Sequence, residues 1–309
     1  MIAPNVNSNL IVLVPKIIGP QVIGDYRLIA LANFQFKIVT KILADRLVII
    51  TMRIVSVEQR GFVREHNISD CVILASKAIN SIDKKQFGGN VALKVDIANA
   101  FDTLNWNFLL TVLRQFGFFE VFVDWISAIL QPARLSILIN AKTVGFFSCS
   151  RGVRQGDPLS PLLFCLAEEI LSRALSAAQS EGRLSPMVYA RGVSFPTHIL
   201  YADDVLIFCI RTKSNIRCVL KIFHDYSKVS GQHINHAKSR FFNGAMTMAR
   251  VQMLAALLGF TAGTIPFLYL GCPIFKGKPK TIYFQAITDK IMYKLSTWKG
   301  TVLSIMGHI

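Results

Sequence analysis

Apolar and polar positions follow two different patterns along the chain, and the two patterns alternate. A period of two, typical of strands, occurs at 91–97, and short continuous apolar runs flank residues 202–204. Spacings of three and four, typical of amphipathic helices, recur between these strands. The order predicts an α+β fold in which strands distant in sequence share one antiparallel sheet. The predicted helices cover 34–50, about 69–82 with Ser69 as N-cap, 106–116, 121–130, 157–178 and 214–230. The other predicted strands cover 11–15, 134–140 and 143–150.

Two adjacent carboxylates, Asp203 and Asp204, stand between the apolar runs of 199–208. The runs are typical of two buried strands and the centre of a tight turn, which predicts a β-hairpin with both carboxylates at its tip. Two like charges beside an apolar core are unfavourable unless a cation neutralises them, and divalent metals prefer carboxylate oxygens. An acidic turn without a metal is the alternative.

Asp96 lies near the end of the alternating strand 91–97, on the face opposite its apolar row. If this strand and the hairpin are neighbours in one sheet, Asp96, Asp203 and Asp204 converge on one edge. Three carboxylates that hold two divalent ions about 3.5–4 Å apart form a centre for phosphoryl transfer. The sequence therefore favours a two-metal site over an acidic turn.

Residues 151–161 predict a glycine-bearing loop that leads into a helix. Asp157 and Ser160 each precede a proline, a pair typical of the N-cap and the first helical position. Arg151 and Arg154 before a helix start form a candidate anion site. A plain helix entry would favour the same residues, so this loop alone does not identify a ligand.

The charge balance is strongly basic, with 34 Lys and Arg against 18 Asp and Glu, a net charge of +16 and a pI of about 9.8. Such a balance suits a polyanionic partner, above all nucleic acid. Mean hydropathy is high at +0.44, but no continuous apolar run approaches the ~18 residues that span a bilayer, so no membrane association is predicted. The six cysteines lack metal-site spacing and predict free thiols, and His233 and His236 alone do not predict zinc.

A series of ordered motifs resembles the reverse transcriptases of non-LTR (LINE-type) retrotransposons, of the sort abundant in plant genomes. The resemblance covers about residues 10 to 300. It rests on Val14-Pro15-Lys16 with Asp25-Tyr26-Arg27-Leu28-Ile29; Gln59-Arg60-Gly61-Phe62-Val63; Lys94-Val95-Asp96 with Ala100-Phe101-Asp102; Arg154 to Pro161; Tyr201-Ala202-Asp203-Asp204; Ser230-Gly231, Ile234-Asn235 and Lys238-Ser239; and Tyr269-Leu270-Gly271.

The resemblance implies an RNA-directed DNA polymerase with a right-hand fold, whose palm is a ferredoxin-like antiparallel sheet with helices. It implies that Asp96, Asp203 and Asp204 bind two Mg²⁺ ions, with Mn²⁺ as a substitute. The implied partners are an RNA template, a DNA primer and deoxynucleoside triphosphates, and the oligomeric state stays open. The resemblance assigns Phe101, Gln155, Gly156, Arg27 and Lys16 to nucleotide binding and Tyr269, Leu270 and Gly271 to the primer grip.

The resemblance also implies a division of the chain. Fingers are expected at about 10–90, palm at about 91–275, and a basic, truncated start of the thumb or connection at 276–309. The family's endonuclease, complete thumb and ribonuclease H are not seen, so we expect a domain-sized fragment. An intracellular location is implied, in the nucleus for target-primed synthesis and in the cytoplasm with element RNA. Leu28 departs from the proline that the family usually has there, which makes Lys16 and Arg27 the least direct assignments.

Two other functions compete with this prediction. An RNA-directed RNA polymerase would share the fold, but the bulky ring of Phe101 would crowd a ribose 2′-hydroxyl. A truncated, non-catalytic nucleic-acid-binding remnant is favoured by the missing domains and by Leu28, and disfavoured by the intact acids. Primer extension on an RNA template with Mg²⁺ distinguishes these alternatives.

Overall fold

The structure is a computed structural model that describes residues 7–131, 133–190, 193 and 195–302. Groups of one to three helices and groups of one to three strands follow one another along the described chain. The helices are α1 Phe34–Ile54, α2 Ile68–Asn80, α3 Ala100–Thr103, α4 Trp106–Gln115, α5 Glu120–Leu130, α6 Ser160–Ser180, α7 Lys213–Ser230, α8 Met248–Leu258 and α9 Gln285–Val302. The strands are β1 Ser8–Pro15, β2 Tyr26–Ala32, β3 Asn90–Asp96, β4 Arg134–Ile139, β5 Lys142–Ser148, β6 His198–Tyr201, β7 Asp204–Ile210, β8 Arg240–Asn243, β9 Thr261–Ala262, β10 Phe267–Tyr269 and β11 Cys272–Ile274.

The first sheet has the strand order β2-β1-β4-β5. β1 pairs antiparallel with β2 and parallel with β4, with Ile11 opposite both Ala30 and Ile137. The predicted hairpin β4–β5 therefore joins the N-terminal strands. The predicted division into fingers at 10–90 and palm at 91–275 stays a prediction, and this sheet takes strands from both sides of residue 91.

The second sheet has the order β6-β7-β3-β8-β9 and is antiparallel except for the parallel pair β8–β9 at its edge. Its central strand, β3, is covered on both faces. Val91, Leu93 and Val95 pack with helices α4 to α7, whereas Ala92 packs with α2 and the hairpin β10–β11. Because side chains alternate along a strand, Asp96 follows Ala92 and Lys94 on the second of these faces, here named the acid face.

Two predicted helix starts are wrong, and in both cases a different residue precedes the helix. α2 begins at Ile68 after Asn67, so Ser69 lies inside the helix. α6 begins at Ser160 after Leu159, so Ser160 is its first residue. The carboxylate of Asp157 instead accepts the backbone N–H of Leu159 at 2.8 Å, which orders the turn before the helix.

The predicted ends of α4 and α7 agree with the structure. The left-handed Gly117, with φ +83°, directly follows Phe116, the C-cap of α4. Gly231 is the C-cap of α7 with φ +75°. None of the described helices is both long and apolar enough to cross a membrane.

Candidate active site

Strands β3 and β7 bring acidic residues to one end of the second sheet. Asp96 is the register partner of Asp204, and cross-strand partners have Cβ atoms about 4.5–5.5 Å apart. Asp203 occupies the two-residue turn between β6 and β7, where Tyr201 pairs with Asp204. The register therefore places three carboxylates at one edge, two of them on the acid face.

Burial and the neighbouring charges raise the pKa of two of these carboxylates, Asp203 and Asp204. The surrounding protein removes water from one side of Asp203 and Asp204 and raises the pKa of both. The charge of Asp96 raises both pKa values further, while Lys94, whose Nζ lies 3.9 Å from Oδ1 of Asp204, lowers that of Asp204. A cation at this edge would relieve the repulsion among the carboxylates.

The turn that carries Asp203 rests on a buried strap formed by residues 58–61. The backbone of this strap pairs with β6, because Arg60 N–H donates to Leu200 O at 2.8 Å. The side chain of Gln59 accepts from the N–H groups of Gly61 at 2.9 Å and Ala202 at 3.3 Å. Ala202 has φ +52°, the left-handed region that favours glycine, so contacts from the strap hold a turn that is costly by itself.

A second segment, 233–239, fixes the backbone at Asp96. The Asp96 N–H donates to Ser239 Oγ at 3.1 Å, and its carbonyl accepts from Asn235 N–H at 2.8 Å. Two residues on, Ala98 N–H donates to His233 O at 2.8 Å. The sequence motif around Asn235 and Ser239 therefore positions the carboxylate-bearing strand end through its backbone.

Phe101 is the second residue of α3, which begins directly after the left-handed residue Asn99. Its ring stacks on Phe164 with centroids 4.5 Å apart and an angle of 12° between planes. Its carbonyl accepts from Val153 N–H at 2.7 Å, which attaches the loop before α6 to α3. Phe101 is half-buried, so one part of the ring packs in the core and another part stays accessible.

Gln155 and Gly156 connect this region to the edge of the first sheet. Gln155 O accepts from Ala30 N–H at 2.9 Å, and its Nε2 donates to Asp102 Oδ1 at 3.4 Å. Gly156 has φ +100°, and a Cβ there would lie 3.3 Å from Ala30 O, so a side chain would be strained and crowded. The loop therefore approaches β2 through its backbone.

The two predicted basic residues of the first sheet occupy different positions. Lys16 Nζ donates to Gly24 O at 2.9 Å, and its charge lowers the pKa of Asp102, which burial raises. Arg27 is exposed on β2 opposite Val14. Lys16 is therefore within electrostatic reach of the Asp102–Gln155 pair.

Arg154 does not form part of an open anion site. Its guanidinium donates to Asn7 Oδ1 and to Ile129 O, and it lies 4.7 Å from the ring centre of Phe36. Burial lowers its pKa, although Asp157 partly offsets this. The interpretation of both loop arginines as anion ligands is therefore wrong for Arg154, because the sequence does not reveal that this side chain turns inward to join α1, α5 and the N-terminal segment.

The residues assigned to the primer grip form the tip of the hairpin β10–β11. Leu270 and Gly271 are its two central residues, with φ +49° and +79°, as a type I′ turn requires. Tyr269 is completely buried, and its hydroxyl has no hydrogen-bond partner among the residues that the structure describes. Burial raises its pKa, and the nearby Cys71 and Asp204 raise it further. The ring of Tyr269 thus packs under the acid face, and the turn is the accessible part.

Glu168 is a buried carboxyl group beside the site that the sequence analysis missed. Its Oε1 accepts from Tyr226 Oη at 3.1 Å, and Tyr226 also contacts Gln232, whose Nε2 donates to Ala100 O at 3.2 Å. Burial raises the pKa of Glu168 to about 8, and the charge of Asp203 also raises it. The sequence did contain a signal for Glu168, because a glutamate on the apolar side of a predicted helix is unusual.

The donor chemistry at the acid edge fits a hard divalent cation, since it offers carboxylate oxygens whose repulsion a cation removes. Within the described residues, no three His, Cys, Asp or Glu side chains are grouped as metal ligands. In the described part of the chain, Asp204 has an ion pair with Lys94, whose Nζ lies 3.9 Å from its Oδ1. A bound metal would compete with this ammonium for the Asp204 carboxylate.

Comparisons with known proteins give a consistent result. Residues 14–274 match the family described as reverse transcriptase (RNA-dependent DNA polymerase). The Transposon TX1 uncharacterized 149 kDa protein of Xenopus laevis is 25% identical over 302 residues, covering 96% of this chain and 22% of that protein. The Pol polyprotein from the retrotransposable element R2DM of Drosophila melanogaster is 26% identical over 227 residues, covering 74% and 20%. The Uncharacterized mitochondrial protein AtMg01250 of Arabidopsis thaliana is 44% identical over 70 residues, covering 23% and 57%.

The chain spans about a fifth of the length of the TX1 and R2DM relatives. Among solved structures, telomerase from Candida tropicalis in complex with a fragment of telomeric RNA has a TM-score of 0.55 at 14% identity, covering 95% of this chain and 50% of that one. The same telomerase truncated from its C-terminal domain gives 0.55 at 13% identity, covering 80% and 52%. This likeness confirms the predicted right-hand polymerase fold.

Proposed function

Because this chain belongs to the reverse transcriptase (RNA-dependent DNA polymerase) family, we propose that its acid edge adds deoxynucleotides to the 3′-hydroxyl of a DNA primer on an RNA template. The family predicted from the motifs is confirmed, and the relatives are proteins of non-LTR retrotransposons. Mg²⁺ is the proposed cofactor, with Mn²⁺ as a substitute. The catalytic activity of this chain is part of the proposal.

The register of β3 and β7 is the observation that carries the proposal, because it places Asp96 beside Asp204 with Asp203 in the adjoining turn. When bound, two divalent ions would lower the pKa of the primer hydroxyl and neutralise the departing pyrophosphate. Asp96, Asp203 and Asp204 are the residues proposed to hold them. Burial raises the pKa of Asp203 and Asp204 in the free chain, and a bound cation would oppose this by favouring the ionised carboxylates.

The neighbouring residues support roles in nucleotide binding. Gln155 and Gly156 would line the pocket for the incoming nucleotide, and the hydrogen bond to Asp102 would hold the Gln155 side chain in place. Lys16, close to that aspartate, and Arg27, exposed on β2, would approach the triphosphate. The accessible part of Phe101 would lie under the sugar and exclude a ribose.

The primer grip and the division of the chain into fingers, palm and thumb stay predictions. The fold suggests which residues and strands each part would include. Leu270 and Gly271 offer a turn at the acid face, while Tyr269 would act by supporting that turn from below. We propose that the first sheet, including β4 and β5, belongs to the fingers and the second sheet to the palm. Residues 276–309 as the start of a thumb, and the nuclear and cytoplasmic locations, rest on the family resemblance.

The test is primer extension on an RNA template with Mg²⁺, comparing the wild type with Asp203→Asn. The matched control is Asp225→Asn, an exposed carboxylate on α7 paired with Lys221. We expect Asp203→Asn to abolish nucleotide addition and the control to retain it. A second readout is independent of activity: Mg²⁺ should raise the melting temperature of the wild type and the control, but raise that of Asp203→Asn much less. Extension by Asp203→Asn at the wild-type rate would contradict the proposal.

A further inference from the structure

A second cleft opens at the far end of the second sheet. It has a volume of about 460 Å³ and lies between the turn at residues 86–88, the start of α7 and helix α8. The strand pair β3–β7 runs from Asn90 and Ile210 at this end to Asp96 and Asp204 at the other. Six residues of strand separate the two ends, which is about 20 Å. The cleft is therefore distinct from the proposed active site.

The cleft carries positive charge. Its lining includes Arg211, Lys213 and Arg250, and within the part of the chain that the structure describes it contains no acidic residue. Partial burial lowers the pKa of Arg211, and the charge of Arg250 lowers it further. Two guanidinium groups that repel each other are stabilised when an anion lies between them, and guanidinium matches phosphate in geometry.

The turn beside these cations has a shape that leaves an aromatic ring in solvent. Gly88 and Gly89 have φ +86° and +72°, and a Cβ at Gly89 would lie 3.1 Å from Nη2 of Arg211. The turn thus lies flat against the guanidinium, with Arg211 N–H donating to Gly89 O at 2.8 Å. Phe87 at the rim is 94% exposed.

The interior of the cleft is apolar. Ile216 and Leu254, both buried, form its floor, whereas Met253 is half exposed, and Phe87 and the cations reach solvent at its rim. An apolar floor, an exposed ring and cations together match the parts of a nucleotide, in which a flat base is joined to a phosphate. An acidic peptide would satisfy the cations but would leave the ring and the floor without a matching group.

We propose that this cleft binds single-stranded nucleic acid, with phosphates on Arg211 and Arg250 and one unpaired base against Phe87. Stacking on an aromatic ring combined with a basic groove is how proteins bind single strands without sequence preference. Only an unpaired base can reach the ring, so a duplex fits less well. The site would hold a strand about 20 Å from the acids, beyond the reach of the reacting nucleotide.

The experiment measures binding of a fluorescent six-residue oligouridylate by the full chain at several salt concentrations. The variants are Phe87→Ala and Arg250→Gln, with Arg53→Gln on α1 as a control that removes the same charge from another exposed position. We expect Phe87→Ala to weaken binding about tenfold. Arg250→Gln should reduce the slope of log affinity against log salt by about 0.7, the loss of one phosphate contact to a single strand.

The control should change affinity less than twofold, and melting curves should show that both test variants stay folded, since both side chains are exposed. A photoreactive 5-iodouridine in the same oligonucleotide should cross-link within residues 84–90 or 246–257. The proposal is overturned if Phe87→Ala binds like Arg53→Gln, if a duplex of equal charge binds more tightly than the single strand, or if cross-links map elsewhere. If inorganic polyphosphate displaces the oligouridylate as well as an unlabelled oligouridylate does, the cleft is a general anion site and the proposal is also overturned.

Discussion

Replacing Glu168 with Gln should make the stability of the chain less dependent on pH. A carboxyl group whose pKa is raised to about 8 in the folded state binds more protons there than in the unfolded state. Its contribution to stability is therefore present at low pH and is lost as pH rises from about 4.5 through 8. Glu168→Gln removes this loss, on the order of a few kcal/mol, because the amide keeps the shape without titrating.

The measurement is urea unfolding of the wild type and Glu168→Gln between pH 5 and 8.5. The control is Glu181→Gln, an exposed residue paired with Arg183. Asp203, the charged group that also raises the pKa of Glu168, titrates in both proteins and leaves a common background. Parallel stability curves for the wild type and Glu168→Gln would show that Glu168 is ionised in the fold.

Phe101→Ala separates packing from sugar selection. The ring is stacked on Phe164, so its removal should lower the free energy of unfolding by about 1–3 kcal/mol. If Phe101 also limits the sugar, the variant should incorporate ribonucleotides more readily relative to deoxyribonucleotides. Phe164→Ala is the matched control, since it removes the same stack from the buried side. A similar change of sugar preference in both variants would mean that loosened packing, and not the ring of Phe101, is responsible.

At the scale of elements, the strap at 58–61 should control the acidic turn without contacting substrate. A Cβ on Gly61 would lie 2.5 Å from the backbone nitrogen of Ala202, so Gly61→Ala must displace either the strap or the turn. We expect a loss of about 1–3 kcal/mol in stability and a lower rate of nucleotide addition. Gly24→Ala is the control, because a Cβ there would meet nothing within 4 Å. It should change the free energy of unfolding by less than about 0.5 kcal/mol and the rate of nucleotide addition by less than about twofold. Normal addition by Gly61→Ala would show that the turn tolerates displacement.

The edge strand β2 explains how Leu28 can replace a proline. Ala30 N–H points away from β1, because it donates to Gln155 O. Alternate residues of a strand direct their amides to the same side, so the N–H of Leu28 also points away from β1. Leu28→Pro should therefore cost under about 1 kcal/mol, whereas Ile29→Pro, opposite Val12, should cost about 1–3 kcal/mol. Urea unfolding of both variants checks this, and equal costs would mean that the edge position is not the reason.

At the scale of the whole molecule, local elements were predictable because their signals lie within a few residues. The hairpin at Asp203, the ends of α4 and α7 and the acid-bearing face of β3 follow from apolar period and glycine position. The sheet partners did not follow. The pairing of β4 with β1, and the membership of the four-residue strand β8 in the second sheet, depend on contacts between segments that lie far apart in the sequence.

Some residues of the candidate site were also predictable from the sequence, and others were not. The three acids have a sequence signal, because carboxylates beside apolar strands are unusual. The inward turn of Arg154 and the burial of Glu168 depend on side chains from distant helices, and a charged residue in a helix or loop gives no indication of which direction it faces. A motif identified the loop that contains Arg154 but not Glu168, and in both cases the role of the residue follows from its contacts in the fold.

The two-sided covering of β3 has a consequence for insertions and deletions. Leu93 and Val95 face the helices while Lys94 and Asp96 face the other layer, so adding one residue inside the strand would reverse every later position. Asp96 would then point among the apolar helices, and Val95 would replace it at the acid edge. Such an insertion would therefore prevent the sheet from folding and would not merely reduce catalysis. Copies of this sequence that have drifted by in-frame gaps should therefore retain β3 at constant length and vary in the loops on either side.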